Sequence, residues 1–482
     1  MQLGTADRPR RRLFAPLLWI LLAALAAFVG LATLRLGAAP SISIEPKIPG
    51  IGKRTPIIVR VAAPGRGLGH VKVELVQDQL DVVLAQRELR PRPFWKFWGP
   101  RTERAEIAVE AGRETVAGLR AGEATIRVTA ERASTPLRHP APTVAERKLP
   151  VRLQPPALQV TSHRTYVAQG GCEAVVYQVG PSAVRSGVEV GDWFFPGYPL
   201  PGGGAQDRFA LFAVPYDVDS DAQVRLVASD EVGNQAEARF VEQFFPKPPK
   251  SDTIKLTDEF LNRVVPQIMG ETPALKDRGN LLDNYLEING ELRRENARAL
   301  RELATKSRPE FLWRAPFLPL PNGKVMSHFA DRRTYLYEGR TVDHQDHLGF
   351  DLASVEKAPV PAANRGVVVL ARFFGIYGNA VVIDHGYGLM TLYAHLSSID
   401  VKEGQEVERG AILGRSGATG LAGGDHLHFT TLLDGLPVNP VEWWDPHWLQ
   451  DRLVAKLGPA LPLPATPSAA PAAPAKRHRK PR

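Results

Sequence analysis

Seven of the twelve histidines lie between His328 and His428. Imidazole is the commonest metal ligand and exchanges protons near neutral pH, so this clustering motivates a search for ligand spacing. The helical HExxH pattern is absent, which removes the arrangement in which two histidines one turn apart grip zinc. Two other groupings stand out: His347-Leu-Gly-Phe-Asp351, and His426-Leu-His428 between a glycine-rich loop (417–425) and the apolar stretch Phe429–Leu433. On an extended strand, residues i and i+2 share a face about 6.6 Å apart, so one imidazole could bind a metal while the other faces substrate. His347 and Asp351 add a nitrogen and an oxygen donor. A His–Asp–His set leaves one tetrahedral position of zinc open, the mark of a catalytic rather than a structural site. Zinc in that setting lowers the pKa of a bound water toward about 7 and polarises a carbonyl.

Taken in order, HLGFD (347–351), YGNAVVIDHGYGLMTLYAHL (377–396), VKEGQEVERGAILGRSGATG (401–420) and GDHLHF (424–429) resemble the lysostaphin-type, or LytM-type, zinc metalloendopeptidases of bacterial cell walls. PVPAANRGVVVLA (359–371) and PVNPVEWW (437–444) match the flanking strands of the same family. The resemblance covers about 130 of the 482 residues. It implies a compact antiparallel β fold with Zn2+ in a groove, held by His347, Asp351 and His428. It implies also that His395 and His426 are the two catalytic histidines that are not ligands. They would orient or deprotonate the attacking water, stabilise the tetrahedral intermediate and help protonate the leaving amine; which takes which step stays open. Relatives that have lost ligands act only as activators of other wall hydrolases, and here all five positions are intact. Two neighbouring positions depart from the family pattern: Thr430, where HLHF is usually followed by an acid, and Ala330, where Gly is common in the SxFGxR segment. Neither is expected among the ligands, so both bear on fine-tuning and substrate preference.

The other candidates have plainer readings. His385 is expected to be structural, and His328 and His344 to lie on the surface or the rim of the groove. Tyr377 and Tyr393 could donate hydrogen bonds to substrate, and aromatic packing explains each as well. The glycines at 404, 410, 414, 417 and 420 suit tight turns. No strand–GxxxxGK[ST]–helix order supports a phosphate-cradling loop.

The elements that must hold these side chains read as mainly β and multidomain. Segments such as HVKVELV (70–76) and ATIRVTA (124–130) alternate with period two, which predicts a β-rich, sandwich-like module over 40–155. The pattern resumes over 156–246, where the strands about Asp230–Asn234 resemble a hairpin of bacterial immunoglobulin-like domains. Residues 253–307 change to helical spacing. Phe260, Leu261 and Val264 share one face, and Leu282, Leu286, Leu292 and Leu300 fit a second amphipathic segment over 281–304. This linker is expected to pack on a neighbouring domain, and it is the candidate for covering the groove. The peptidase domain is expected over 311–447, with a disordered Pro/Ala-rich basic tail over 459–482.

The net charge of +9 sits almost entirely at the two ends: Arg8, Arg10, Arg11 and Arg12 at one, and Lys476, Arg477, Arg479, Lys480 and Arg482 at the other. The middle is near neutral, so no nucleic-acid-binding face is indicated. Cys172 is the single cysteine, which excludes an intrachain disulfide and a cysteine zinc site. The uncharged run Phe14–Leu34 is long enough to cross a bilayer. With residues 1–13 basic, it predicts a single-pass inner-membrane anchor (14–36) with a cytoplasmic N-terminus and the catalytic domain in the periplasm; a cleaved signal peptide, with Gly37, Ala38 and Ala39 near the cut, is the rival. The partners expected are peptidoglycan and the membrane. The function expected is hydrolysis of peptide cross-links, set against a catalytically silent wall-binding scaffold or activator, or a general protease of exported proteins.

Overall fold

The computed structural model describes residues 14–463; the basic N-terminus (1–13) and the tail from residue 464 onward lie outside the described residues. The protein is mostly β, with 41% strand and 19% helix. The chain divides into two compact units. The first holds residues up to 156 with the short segments 182–184 and 229–236, and the second holds the remainder of 157–482.

In the first unit, helix α1 (Phe14–Leu34) precedes a β-sandwich. One sheet joins strands 41–46, 55–62 and 104–111, and the other orders 80–88, 68–77, 122–132 and 143–151. Alternation in sequence becomes alternation in burial: Ile57, Val59 and Val61 of one sheet face Val71, Val73, Ile126 and Val128 of the other across a dry core, as two packed sheets require. Asp230 pins its own tight turn by accepting the backbone N–H groups of Val232 and Asn234.

The second unit begins with a smaller pair of sheets built on strands 172–179 and 207–213, and on 185–190 flanked by 193–196 and 224–229. Three helices follow. Thr257 caps α2 (Asp258–Glu271), which buries Leu261, Val264, Val265 and Ile268. Asn280 caps α3 (Leu281–Glu287), and a π turn (Ile288–Leu292) carries it into α4 (Arg293–Ala304). Leu300 and Ala304 share a core with Leu370, Val382, Leu392 and Leu432, so the amphipathic face belongs to the sheet that follows.

That sheet is the main scaffold of the C-terminal domain. Its order runs 324–327, 350–353, 427–433, 389–396, 379–384, 366–373 and 406–407, with 436–438 beside 427–433. A second sheet joins strands 331–337 and 340–347 and takes 251–256 as a parallel neighbour. The register that matters sets Asp351 directly opposite His428 and His428 opposite Ala394.

Candidate metal centre

Three strands bring the first three side chains together. His347 ends strand 340–347, Asp351 follows one tight turn later on 350–353, and His428 sits opposite Asp351 on 427–433. The turn has no room for a side chain at Gly349, where a Cβ would come within 2.6 Å of the His428 ring and of Thr430 Oγ1. Asp351 Oδ1 lies 2.9 Å from His347 Nε2 and 2.9 Å from His428 Nδ1, and the two nitrogens are 3.0 Å apart. All three residues are buried.

Hydrogen bonds on the far sides of the rings decide what those nitrogens carry. His347 Nδ1 lies 2.9 Å from the His328 carbonyl; a carbonyl only accepts, so Nδ1 is the protonated nitrogen and Nε2 keeps a lone pair. Thr430 spends its one hydroxyl proton on the Leu348 carbonyl at 3.0 Å, and its oxygen therefore accepts from His428 Nε2, also at 3.0 Å. That leaves the lone pair of His428 on Nδ1. Two lone pairs and a carboxylate oxygen thus converge, a set that repels itself without a cation and satisfies one with it. The carboxylate of Asp351 is further fixed by Arg333, which donates to Oδ2 at 2.8 Å. Burial opposes ionisation of Asp351, but positive charge on His347 and hydrogen bonds from His347, His426 and His428 whenever they carry a proton on the facing nitrogen outweigh it and hold its pKa well below the usual carboxylate range, the same demand for positive charge that a cation would meet. Burial pushes His428 down to about 4.

The other two sequence candidates stand beside this group. His395 is on strand 389–396 with φ +62°, in the left-handed region that only a few per cent of non-glycine residues adopt. Its ring centroid is 4.9 Å from that of His426 and 5.7 Å from that of His428. His395 Nδ1 is bound at 2.8 Å to the Thr419 carbonyl and His426 Nδ1 at 2.8 Å to the Gly424 carbonyl. Each therefore keeps its Nε2 lone pair, and His426 Nε2 lies 3.5 Å from Asp351 Oδ1. Burial lowers the pKa of His395 well below its ordinary value. It works the same way on His426, but the contact with Asp351 overrides it and the net shift is upward.

All five residues line one cleft of about 770 Å³. The cleft is also lined by Tyr285, Arg293 and Arg301 of the helices and by Trp193, over whose ring Arg301 is stacked at 4.2 Å. Tyr377 also lines the cleft, with its ring 5.8 Å from that of His428. Tyr393 does not: it is buried and its hydroxyl is occupied by Ala363 N–H and Thr391. His385 is fully buried between the Arg365 carbonyl and Thr391. The His328 ring is half exposed and packs on Phe350, while His344 lines the cleft. Sequence reasoning missed Arg333; it expected Thr430 outside the ligand set with a fine-tuning role, and the structure sets Thr430 against His428 as its hydrogen-bond partner. Thr430 stands two residues beyond His428 on the same strand, the spacing that puts both on one face.

The model of peptidase family M23 matches residues 345–440. Over 174 residues the chain is 36% identical to the peptidoglycan DD-endopeptidase ShyA of Vibrio cholerae, covering 36% of this chain and 37% of that one. Over 95 residues it is 45% identical to the DD-carboxypeptidase/endopeptidase Mpg of Neisseria meningitidis, covering 20% and 22%. The chain thus spans little more than a third of these relatives' length at most. Among solved structures, the catalytic domain of the antimicrobial peptidase lysostaphin from Staphylococcus simulans aligns with 28% identity and a TM-score of 0.23, over 26% of this chain and 94% of that one. His347, Asp351, His395, His426 and His428 all fall within the stretch that matches the peptidase family M23 model.

Proposed function

We propose that the protein is a membrane-anchored, exported zinc metalloendopeptidase that hydrolyses peptide cross-links of bacterial peptidoglycan. The observation that carries this reading is the convergence of two imidazole lone pairs and one carboxylate oxygen within 3.0 Å of one another. His347, Asp351 and His428 would hold Zn2+, which when bound supplies the Lewis acidity that makes a water nucleophilic at neutral pH and polarises a scissile carbonyl. The remaining work falls to the chain's own groups. His395 and His426 present Nε2 to the cleft from rings locked by their Nδ1–H bonds, so each accepts a proton at Nε2 and returns it from the same atom. Between them they can take the proton of the attacking water and deliver one to the leaving amine. Arg333 keeps one oxygen of Asp351 occupied and leaves the other for the centre.

The substrate class is supported by the relatives, whose names specify DD-endopeptidase and DD-carboxypeptidase activity. The anchor is supported by α1, whose 21 residues reach about 31 Å at about 1.5 Å per residue, the thickness of a hydrocarbon core. Digestion of purified peptidoglycan by the full chain, followed by mass analysis of the products, tests the reading. Cross-linked fragments should fall to uncross-linked ones, the change should vanish with a chelator and return with zinc. Binding to the wall without new products would establish a silent scaffold instead.

A further inference from the structure

The first unit carries a second built feature, in the segment Pro93–Trp98 (PFWKFW). Arg92 is 8% exposed, and its guanidinium donates to the carbonyl of Phe97 and twice to that of Gly99. Its own carbonyl is held by Arg66. A buried cation thus fixes the shape of a short loop, yet the loop displays Trp95 at 52% and Trp98 at 73% exposure. In water that arrangement gains nothing, because fixing a loop is costly and exposed indoles bury no surface.

The position of the loop relative to α1 gives it a purpose. Phe97 packs on Phe28 of α1 with ring centroids 5.6 Å apart, and the Arg35 guanidinium lies over the Phe97 ring at 5.1 Å. The end of α1 is taken up by the folded unit: Ala32 and Thr33 are 1% and 6% exposed, and Thr135 donates its hydroxyl to the Thr33 carbonyl. The same turn displays Leu137 at 73% exposure. Phe28 lies six residues before the end of the helix, about 9 Å along its axis, and the whole apolar run is only about as long as a hydrocarbon core is thick. A loop packed at that level stands within the boundary of any bilayer that α1 crosses.

Resting on the membrane-anchor reading above, we infer that Trp95, Trp98 and Leu137 form a seating surface that enters the headgroup–acyl boundary of the bilayer, with Arg35 and Lys96 beside it for the lipid phosphates. Indoles favour that boundary because they are apolar bodies with one N–H to keep wet, and basic side chains next to them meet anionic lipid. α1 then fixes depth and the loop fixes orientation of the first unit.

The test uses the full chain in vesicles of phosphatidylethanolamine and phosphatidylglycerol whose acyl chains are brominated close to the headgroup. Tryptophan emission is compared among wild type, Trp19→Phe, and the double variant Trp95→Phe/Trp98→Phe. Trp19 lies in α1 and reports the anchor by itself. The quenchable emission should fall by roughly half or more in the double variant, with cleavage of peptidoglycan unchanged as a sign of intact folding. Quenching that is lost with Trp19→Phe and untouched by the double variant overturns the seating surface while keeping the anchor. A Trp19 signal that neither these lipids nor lipids brominated near mid-chain quench overturns the anchor and this inference together. Emission of Trp95 and Trp98 that ignores lipid but shifts with protein concentration assigns the surface to a second copy of the chain and overturns the lipid assignment.

Discussion

Two places in the second unit bury several ionisable groups, and they do so on opposite terms. Where strand 172–179 meets the last helices, fully buried Glu173 pairs with Lys456 at 2.9 Å and faces Arg452 at 3.8 Å, while Glu442 accepts the Cys172 N–H at 2.7 Å. There the chain faces its buried carboxylate with cations of its own, Lys456 within hydrogen-bond reach of one oxygen and Arg452 farther from the other, which accepts no hydrogen bond. At the candidate metal centre it supplies a partner for one nitrogen of each histidine and turns the other toward more acceptors. A shifted pKa does not separate the cases, since burial moves Glu442 up to about 7 and His428 down to about 4. What separates them is what faces the buried acceptor: cations of the chain at Glu173, further lone pairs at Asp351 Oδ1. Buried polar groups are normally satisfied, so lone pairs left facing one another mark a place where something else must come.

The largest effect should come from removing one of those lone pairs. His428→Ala should reduce peptidoglycan cleavage by about 10³-fold or more, beyond the 10–100-fold typical of outer hydrogen-bond partners, and lower bound zinc measured by elemental analysis. Its melting temperature in the presence of chelator should fall only modestly, because the variant gives up the His428–Thr430 hydrogen bond but also relieves the facing lone pairs. The junction should behave in the opposite way, altering stability and not cleavage. Burial raises the folded-state pKa of Glu442 above its ordinary range, so the stability linked to its proton is complete below about pH 4.5 and is lost as pH rises through about 7. Glu442→Gln keeps an acceptor for Cys172 N–H without that cost. It should be more stable than wild type at pH 8 by on the order of 2–3 kcal/mol and show no gain near pH 4.5, read from chemical denaturation at both pH values. Equal pH profiles for the two proteins would erase the distinction drawn above.

Thr430→Val comes next, and it tests whether the hydroxyl sets the tautomer of His428. Valine keeps the shape and removes the acceptor for His428 Nε2–H, so zinc affinity measured by competition with a chromophoric chelator should fall about 10–100-fold, with folding intact. This residue also shows where sequence stops being legible. The five candidate side chains could be read because each belongs to an ordered motif and because metal and proton chemistry restrict residue types. The mainly β class was readable from period-two segments such as 124–130, and the helical face of 258–271 from its spacing. The partners that orient the histidines could not be read, since three of them are backbone carbonyls, of His328, Thr419 and Gly424, which leave no trace in side-chain identity. Arg333 reaches Asp351 across strands 18 residues apart in sequence. Cys172 and Glu442 meet over 270. Such pairings depend on register and packing, which a single sequence does not state. The helical segment was readable as amphipathic and as packing on a neighbouring domain, but not which sheet Leu300 and Ala304 would complete.

The smallest effect sharpens the comparison from the backbone side. Ala330 has φ +64° and donates its N–H to the His347 carbonyl at 2.7 Å. The left-handed region brings Cβ too close to the following carbonyl and costs an alanine about 1–2 kcal/mol. Glycine removes that clash but has about 0.5–1 kcal/mol more backbone entropy to lose on folding. The balance favours Ala330→Gly by about 0.5–1 kcal/mol. A thermal scan of the chelated protein should therefore show a modest rise in melting temperature. Zinc affinity should not move, because the carbonyl of His347 and not its ring takes this hydrogen bond. If affinity rises together with stability, the backbone at Ala330 is transmitting strain into the centre, and the position of His347 Nε2 is set by the loop as well as by the His328 carbonyl.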